Sequence, residues 1–169
     1  TNVIKVSVNQ TLVAGSIKNS QSICYNTAPV MFTTAQYPSG GSGTYTYKWQ
    51  KFVGTTWSDI TGATFETYSA DPLEVTSYFR RVETSGSCGT VYTNQLTVNV
   101  TPEFIAGVIG SNQTINYNTS PSDIVSVQAS SGATGVYVYQ WQKSTDNSTW
   151  SNITGATTNS YQPGNLTNT

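Results

Sequence analysis

Histidine is absent from this chain of 169 residues, and Lys, Arg, Asp and Glu together supply only 9% of it. With a formal net charge of -1, there is no electrostatic basis for binding nucleic acid or other polyanions. General acid–base chemistry at neutral pH relies on His or paired carboxylates, and a nucleophilic Ser or Cys needs an adjacent base. No such arrangement is visible, so no enzyme is expected. Two cysteines, Cys24 and Cys88, are too few for a zinc site in a chain without His. The eight acidic residues are scattered, with Glu66, Asp71 and Glu74 the closest group, and no run offers the spaced oxygen ligands of a calcium loop. A calcium site between repeats is a minor alternative; otherwise no metal and no cofactor is expected. The longest apolar runs are about four residues, far short of the roughly 20 that span a bilayer, and no basic segment followed by an apolar one opens the chain. Membrane insertion is not expected, and Thr1 reads as an internal starting point.

What is present points the other way, to strands and turns. The chain has 28 Thr, 21 Ser and 14 Asn, with 11 Tyr and 4 Trp against a single Met; hydroxyls, amides and aromatics favour sheets and turns over helices. Hydroxyls and amides must also supply the solvent face that Lys and Glu usually supply, a composition common among secreted surface proteins. An extracellular, cell-surface location is expected.

Self-similarity organises the chain. Ala14-Gly15, Ile17, Gln21, Ile23, Tyr25-Asn26-Thr27 and Pro29 recur 92 residues later as Ala106-Gly107, Ile109, Gln113, Ile115, Tyr117-Asn118-Thr119 and Pro121. Tyr45, Tyr47 and Trp49-Gln50-Lys51 return as Tyr137, Tyr139 and Trp141-Gln142-Lys143. One inserted residue then shifts the offset to 93, at which Trp57, Ile60 to Thr64, Tyr68 and Leu73 match Trp150, Ile153 to Thr157, Tyr161 and Leu166. The reading is a unit of about 92 residues. Residues 1–13 are expected to be the final strand of a preceding repeat, 14–105 a complete repeat, and 106–169 a second repeat lacking its last strands. The sheet edge left unpaired is expected to be covered by following residues or by strands of another copy, residues 1–13 being a candidate.

Within one repeat, short β-branched and aromatic segments alternate with Gly, Ser, Asn and Pro clusters at spacings of about 8 to 12 residues. The expected strands are Val30 to Ala35, Thr44 to Phe52, Thr56 to Ile60, Thr67 to Ser69, Ser77 to Glu83 and Val91 to Val100. From Tyr45 to Lys51 the aromatics fall at every second residue, so Tyr45, Tyr47 and Trp49 share one face and Thr46, Lys48 and Gln50 the other. Trp49, Tyr47 and their counterparts Trp141 and Tyr139 are therefore expected in the core. Trp57 and Trp150, beside turn sequences, are expected to cover the sandwich edge, with stacking on sugar as the alternative. Arg80 and Arg81 are adjacent, so one faces inward and needs a carboxylate or carbonyl partner. Asp146-Asn147-Ser148 reads as a hairpin turn.

Trp49 about 25 residues after Cys24, the strand Tyr78-Phe79-Arg80-Arg81-Val82 and the closing strand Leu96 to Val100 resemble strands C, F and G of immunoglobulin-like domains. The fold class is thus all-β, tandem immunoglobulin-like β-sandwich repeats. More narrowly, Cys24 to Pro29, the Tyr-x-Tyr-x-Trp-Gln strand, Trp57 to Thr64 and Tyr78 to Arg81 resemble the repeats of giant secreted surface proteins of Bacteroidetes, the SprB-type gliding-motility adhesins. The resemblance implies a surface adhesin exported by the type IX secretion system. Neighbouring repeats of the same chain are expected partners, and surface glycans or abiotic surfaces possible ligands. Inert stalk repeats, or a carbohydrate-binding module of a polysaccharide-degrading enzyme, are the alternatives. A Cys24–Cys88 disulfide is expected to close a long loop, contributing about 4 kcal/mol in the chain-entropy model, with two unlinked thiols as the alternative. An immunoglobulin disulfide joins the middles of strands B and F, whereas Cys24 precedes the former and Cys88 follows the latter. The second repeat has Asn116 in place of Cys24 and must fold without the bridge.

Overall fold

A computed structural model describes residues 2–110 and 112–167. The chain divides into two compact units, Thr1–Glu103 and Phe104–Thr169. Among the described residues the one helical segment is a 3-10 turn at Gly86–Cys88; the architecture is all-β. The first unit runs β1 (Gln10–Val13), β2 (Ser16–Lys18), β3 (Gln21–Ile23), β4 (Thr33–Gln36), β5 (Ser39–Gly41), β6 (Thr46–Val53), β7 (Thr56–Asp59), β8 (Ser77–Thr84), β9 (Thr90–Tyr92) and β10 (Leu96–Val100).

The larger sheet has the order β3-β10-β8-β6-β7, with β9 continuing beside β8. Strands β6, β8 and β10 correspond to C, F and G of an immunoglobulin-like sandwich, and β3 joins the edge by pairing parallel with β10. Opposite lie β2 and β4, extended by single bridges from Phe32 to Tyr68 and from Thr27 to Leu73. The strand expected at Thr67 to Ser69 is thus one bridge. The strand expected from Val91 to Val100 breaks in two, because Asn94 turns its side chain to Ile17: its Oδ1 accepts the Ile17 N–H at 2.8 Å and its Nδ2 donates to the Ile17 carbonyl at 3.0 Å. An amide side chain there performs the work of a ladder partner.

Alternation along β6 and β8 builds the core. Trp49 is 0% exposed and packs with Phe32, Tyr68 and Phe79, ring centroids 5.0–6.1 Å apart within the group. A loop clamps it from outside: the Trp49 N–H donates to the Ala63 carbonyl, its own carbonyl accepts from Ile60, and its indole N–H donates to the Phe65 carbonyl at 3.0 Å. Strand β8 then does something the composition conceals. Its inward residues are Ser77, Phe79, Arg81 and Glu83, so half of this face is charged.

Arg81 and Glu83 are both 0% exposed and bonded to each other, Nη2 to Oε1 at 2.7 Å and Nε to Oε1 at 3.1 Å. Arg81 Nη1 donates to Thr34 Oγ1 at 2.7 Å and to the Glu66 carbonyl, and its guanidinium stacks on Tyr47, 4.5 Å from the ring centroid. Glu83 Oε2 accepts the Gly15 N–H at 2.7 Å. The pair therefore ties β8 to both β4 and the turn before β2. Gly15 permits this, since a Cβ there would run into the Gln36 carbonyl and Pro38; close backbone approach explains the Ala-Gly motif.

Two expected boundaries move. Strand β1 pairs with β5 and buries Leu12, so Gln10–Val13 belongs to the first unit and not to a preceding repeat; Val3, Ile4, Val6 and Val8 stand exposed outside any strand. Likewise Ile105 bridges Ser131 and belongs to the second unit.

The second unit contains β11 (Val108–Ile109), β12 (Ile124–Gln128), β13 (Gln142–Lys143), β14 (Ser151–Asn152) and β15 (Ser160–Tyr161). Its local contacts reproduce those of the first. Trp141 N–H donates to Ala156, Ile153 N–H to Trp141 and the indole N–H to Thr158, while Trp141 and Tyr161 stand 5.6 Å apart at 31°, as Trp49 and Tyr68 do. Burial differs. Trp141 and Tyr139, expected in a closed core, are only half-buried and line an open groove of about 450 Å³ with Gly107, Ile109, Ser126 and Trp150. In the first unit Gly15 and Thr34 bond to Glu83 and Arg81 of β8; their counterparts Gly107 and Ser126 line the open groove of the second unit.

Candidate functional site

The hairpin β6–β7 and strands β8 and β9 set the outer face of the larger sheet. Gly54, at φ 60°, and Thr55 form a two-residue turn that puts Trp57 opposite Phe52 and Asp59 opposite Gln50. Across the other edge of β6, Gln50 faces Arg80 and Lys48 faces Val82, and Val82 in turn faces Tyr92. All these side chains lie on the face away from Trp49, as alternation requires.

Arg80 lies at the centre. Its guanidinium carbon is 4.4 Å from the Trp57 ring centroid and 4.1 Å from that of Tyr92, so the cation is stacked between two rings. Phe52 meets Trp57 edge-on at 5.4 Å and Tyr78 at 6.4 Å. A polar row crosses the stack: Arg80 Nε donates to Gln50 Oε1 at 2.8 Å, Gln50 Nε2 donates to Asp59 Oδ1 at 2.7 Å, and Lys48 Nζ donates to Asp59 Oδ2 at 2.9 Å. The hydrogen bond from Lys48, then that from Gln50, holds the Asp59 carboxyl below the usual carboxylate range. Beside the stack runs an open groove of about 300 Å³, walled by Thr46, Lys48, Thr84, Thr90 and Tyr92 among others.

Trp57 is half-buried in this stack, with one ring face on Arg80. Trp150, its counterpart, is 54% exposed and rims the groove of the second unit. Glu66, Asp71 and Glu74 are not brought together; among the described residues no three Cys, Asp or Glu side chains gather to hold a metal ion. The sequence places Gln50 on the polar face and one of Arg80 and Arg81 inward, but does not bring Arg80, Gln50 and Tyr92 together on the outer face. The two-residue turn after Val53, which fixes the register, was the signal that places them in rows.

The expected disulfide is not formed: Cys24 and Cys88 are free. The reason is register. Val100 pairs with Ile23 and Val98 with Ser77, so Cys24 lies beyond the start of β8, whereas Cys88 follows its end at Thr84. Seven strand steps between Ser77 and Thr84 amount to about 23 Å, against the roughly 7 Å between Cα atoms that a disulfide bridges. Cys88 instead accepts a hydrogen bond from Asn9 Nδ2 at 3.3 Å.

Asp146 forms a turn between β13 and β14, accepting from the Thr149 N–H at 2.7 Å, the Ser148 N–H at 2.8 Å and Ser144 Oγ at 2.9 Å, with Asn147 at φ 54°. Those bonds, the Thr149 amide first, hold its carboxyl far below the usual range. A carboxylate depressed in the folded state stabilises above its unfolded pKa and loses that contribution only as pH falls through the folded value. In an acid titration followed by NMR, the Ser148 and Thr149 amides are expected to keep their turn shifts through about pH 4, where an ordinary Asp protonates. A titration midpoint near that value would contradict the assignment.

The architecture defines an all-β chain of immunoglobulin-like sandwich units, the first carrying an aromatic and arginine face. The chain belongs to the family described as a domain of unknown function (DUF8696), whose model matches residues 13–102 and again 105–169. No curated protein and no solved structure matches it.

Proposed function

We propose that the chain is a non-catalytic segment of a long, secreted bacterial cell-surface adhesin, similar to the gliding-motility adhesins of Bacteroidetes. In this reading small sandwiches are strung in series and each offers a weak contact to a surface or a glycan. The observation that carries it is the outer sheet face of the first unit, where Trp57, Arg80 and Tyr92 lie beside a row of threonines. Such a face suits shallow contacts with hydroxylated surfaces. Two matches to one family model, starting at residues 13 and 105, support a serial arrangement, and repetition makes weak contacts useful.

The reading is tested by comparing the intact chain as a monomer with the same chain coupled densely to beads, on a glycan array and on bare glass or polystyrene. Retention of the beads, with weak or undetectable retention of the monomer, is the expected result. Uniform absence of retention in both forms would replace the adhesive reading with that of a stalk.

A further inference from the structure

Arg80 is held more tightly than a covering side chain requires. Two rings sandwich its plane, and the Nε is fixed by Gln50, which is fixed in turn by Asp59 and Lys48. Stacking alone would leave the plane free to rotate between the rings; the bond at Nε fixes its rotation as well. Among the described residues, Nη1 and Nη2 have no hydrogen-bond partner, and no buried side-chain nitrogen or oxygen lacks one. Neither terminal nitrogen is therefore sealed from solvent.

The charge pattern favours an anion. Asp59 is the one acid in the row and is paired with Lys48, so Arg80 supplies an uncompensated positive charge on a chain whose net charge is -1. A planar guanidinium with a fixed orientation and free terminal donors matches a carboxylate bidentately, which a lysine does not. The neighbouring groove is lined by Thr46, Thr84, Thr90, Gln50 and Val82 together with the Lys48–Asp59 pair, and Tyr92 belongs to both the groove and the Arg80 stack. Thr84 and Thr90 are bonded to each other at 2.9 Å and Tyr92 is 51% exposed at the rim; three threonine hydroxyls, an amide and an aromatic face suit a ring bearing several hydroxyls.

We infer that the outer face of the first unit is a binding site for a carboxylate-bearing saccharide of the uronic-acid type. Its carboxylate sits on the Nη1–Nη2 edge of Arg80, and its ring lies in the groove against Tyr92 and the threonines. The inference rests on the adhesive reading above, and the two fail separately. One solvent-exposed ion pair and a shallow groove give weak binding, of the order of millimolar, at a single site.

The test is an NMR titration of the isotope-labelled intact chain with trigalacturonate at low salt. Parallel titrations use the neutral galactose trisaccharide of the same linkage and the same trisaccharide carrying sulfate esters in place of carboxylates. Saturable shifts are expected at the Arg80 Nε–H, the Trp57 indole N–H and the amides of Thr84, Thr90 and Tyr92, with the neutral sugar about tenfold weaker. Arg80→Lys, which keeps the charge and loses the fork, is expected to weaken binding about tenfold while the amide spectrum remains that of the folded chain. Should that variant unfold, the wild-type shift map still decides. Equal binding of the neutral or the sulfated sugar, shifts clustered elsewhere, or unaltered binding by a folded Arg80→Lys would each overturn the inference. A neutral glycan bound elsewhere on the chain would overturn it while leaving the adhesive reading intact.

Discussion

Glu83→Ala is expected to destabilise the first unit by about 3–5 kcal/mol. Both oxygens of Glu83 are engaged, one by Arg81 and one by the Gly15 N–H. Removing the carboxylate strands a guanidinium that is 0% exposed and leaves a backbone donor without an acceptor. Arg81→Ala is expected to cost a similar amount for the reciprocal reason. The double replacement Arg81→Met with Glu83→Leu removes both charges at once and is expected to cost less than either single change, because buried ion pairs repay little beyond their own desolvation. It is not expected to be neutral. Thr34, the Glu66 carbonyl and Gly15 each lose a partner, at about 1–3 kcal/mol for a buried group left unpaired. Urea denaturation of the intact chain, followed by tryptophan fluorescence, measures all three. A loss under about 1 kcal/mol for Glu83→Ala would mean that the pair does not tie the two sheets.

The second large effect separates the two units. Trp49→Ala is expected to cost about 3–5 kcal/mol, the usual toll of emptying a large aromatic site in a closed core. Trp141→Ala is expected to cost about 1–2 kcal/mol, since less area leaves water when the site is open. Local bonding does not cause the difference: both tryptophans have the same backbone partners and the same tyrosine at 5.6 Å. What differs is the cover that Phe79 and its neighbours on β8 give to Trp49. Equal losses in the two variants would show that β8 adds nothing to the first core.

Much of this was legible in the sequence, and the limits have identifiable causes. Tyr47, Trp49 and the polar residues between them declare two faces by period alone, and the inner face is where the structure has it. The repeated Trp-Gln-Lys and Ile-Thr-Gly-Ala-Thr segments were legible as a repeat; that in each unit the second segment clamps the tryptophan of the first emerges only in the structure. Strands β2, β3 and β5 are three residues each, too short to show a period, and β5 is Ser-Gly-Gly. Two adjacent arginines on a strand required one to turn inward onto a carboxylate or carbonyl, and Arg81 does so on Glu83 and the Glu66 carbonyl; which carboxylate it meets was hidden, because Glu83 in isolation looks like part of a solvent face. The disulfide is not formed because Cys24 and Cys88 lie beyond opposite ends of β8; the order of the segments already set both cysteines outside the strands, and the register turns that into a separation no disulfide bridges. The Arg80 stack needs three registers at once: the Gly54-Thr55 turn and the 85–89 connection set two of them locally, but the pairing of β6 with β8 joins distant segments.

The parallel pairing of β3 with β10 has a mechanical meaning. The strand by which the chain enters the larger sheet lies beside the strand by which it leaves, both running the same way. Once β1 and β2, which the chain passes first, have let go of β5 and β4, tension entering through β3 and leaving through β10 pulls these neighbours in opposite directions along their shared axis. The bonds from Gln21 to Ile23 then share the load and must give way together instead of opening one after another.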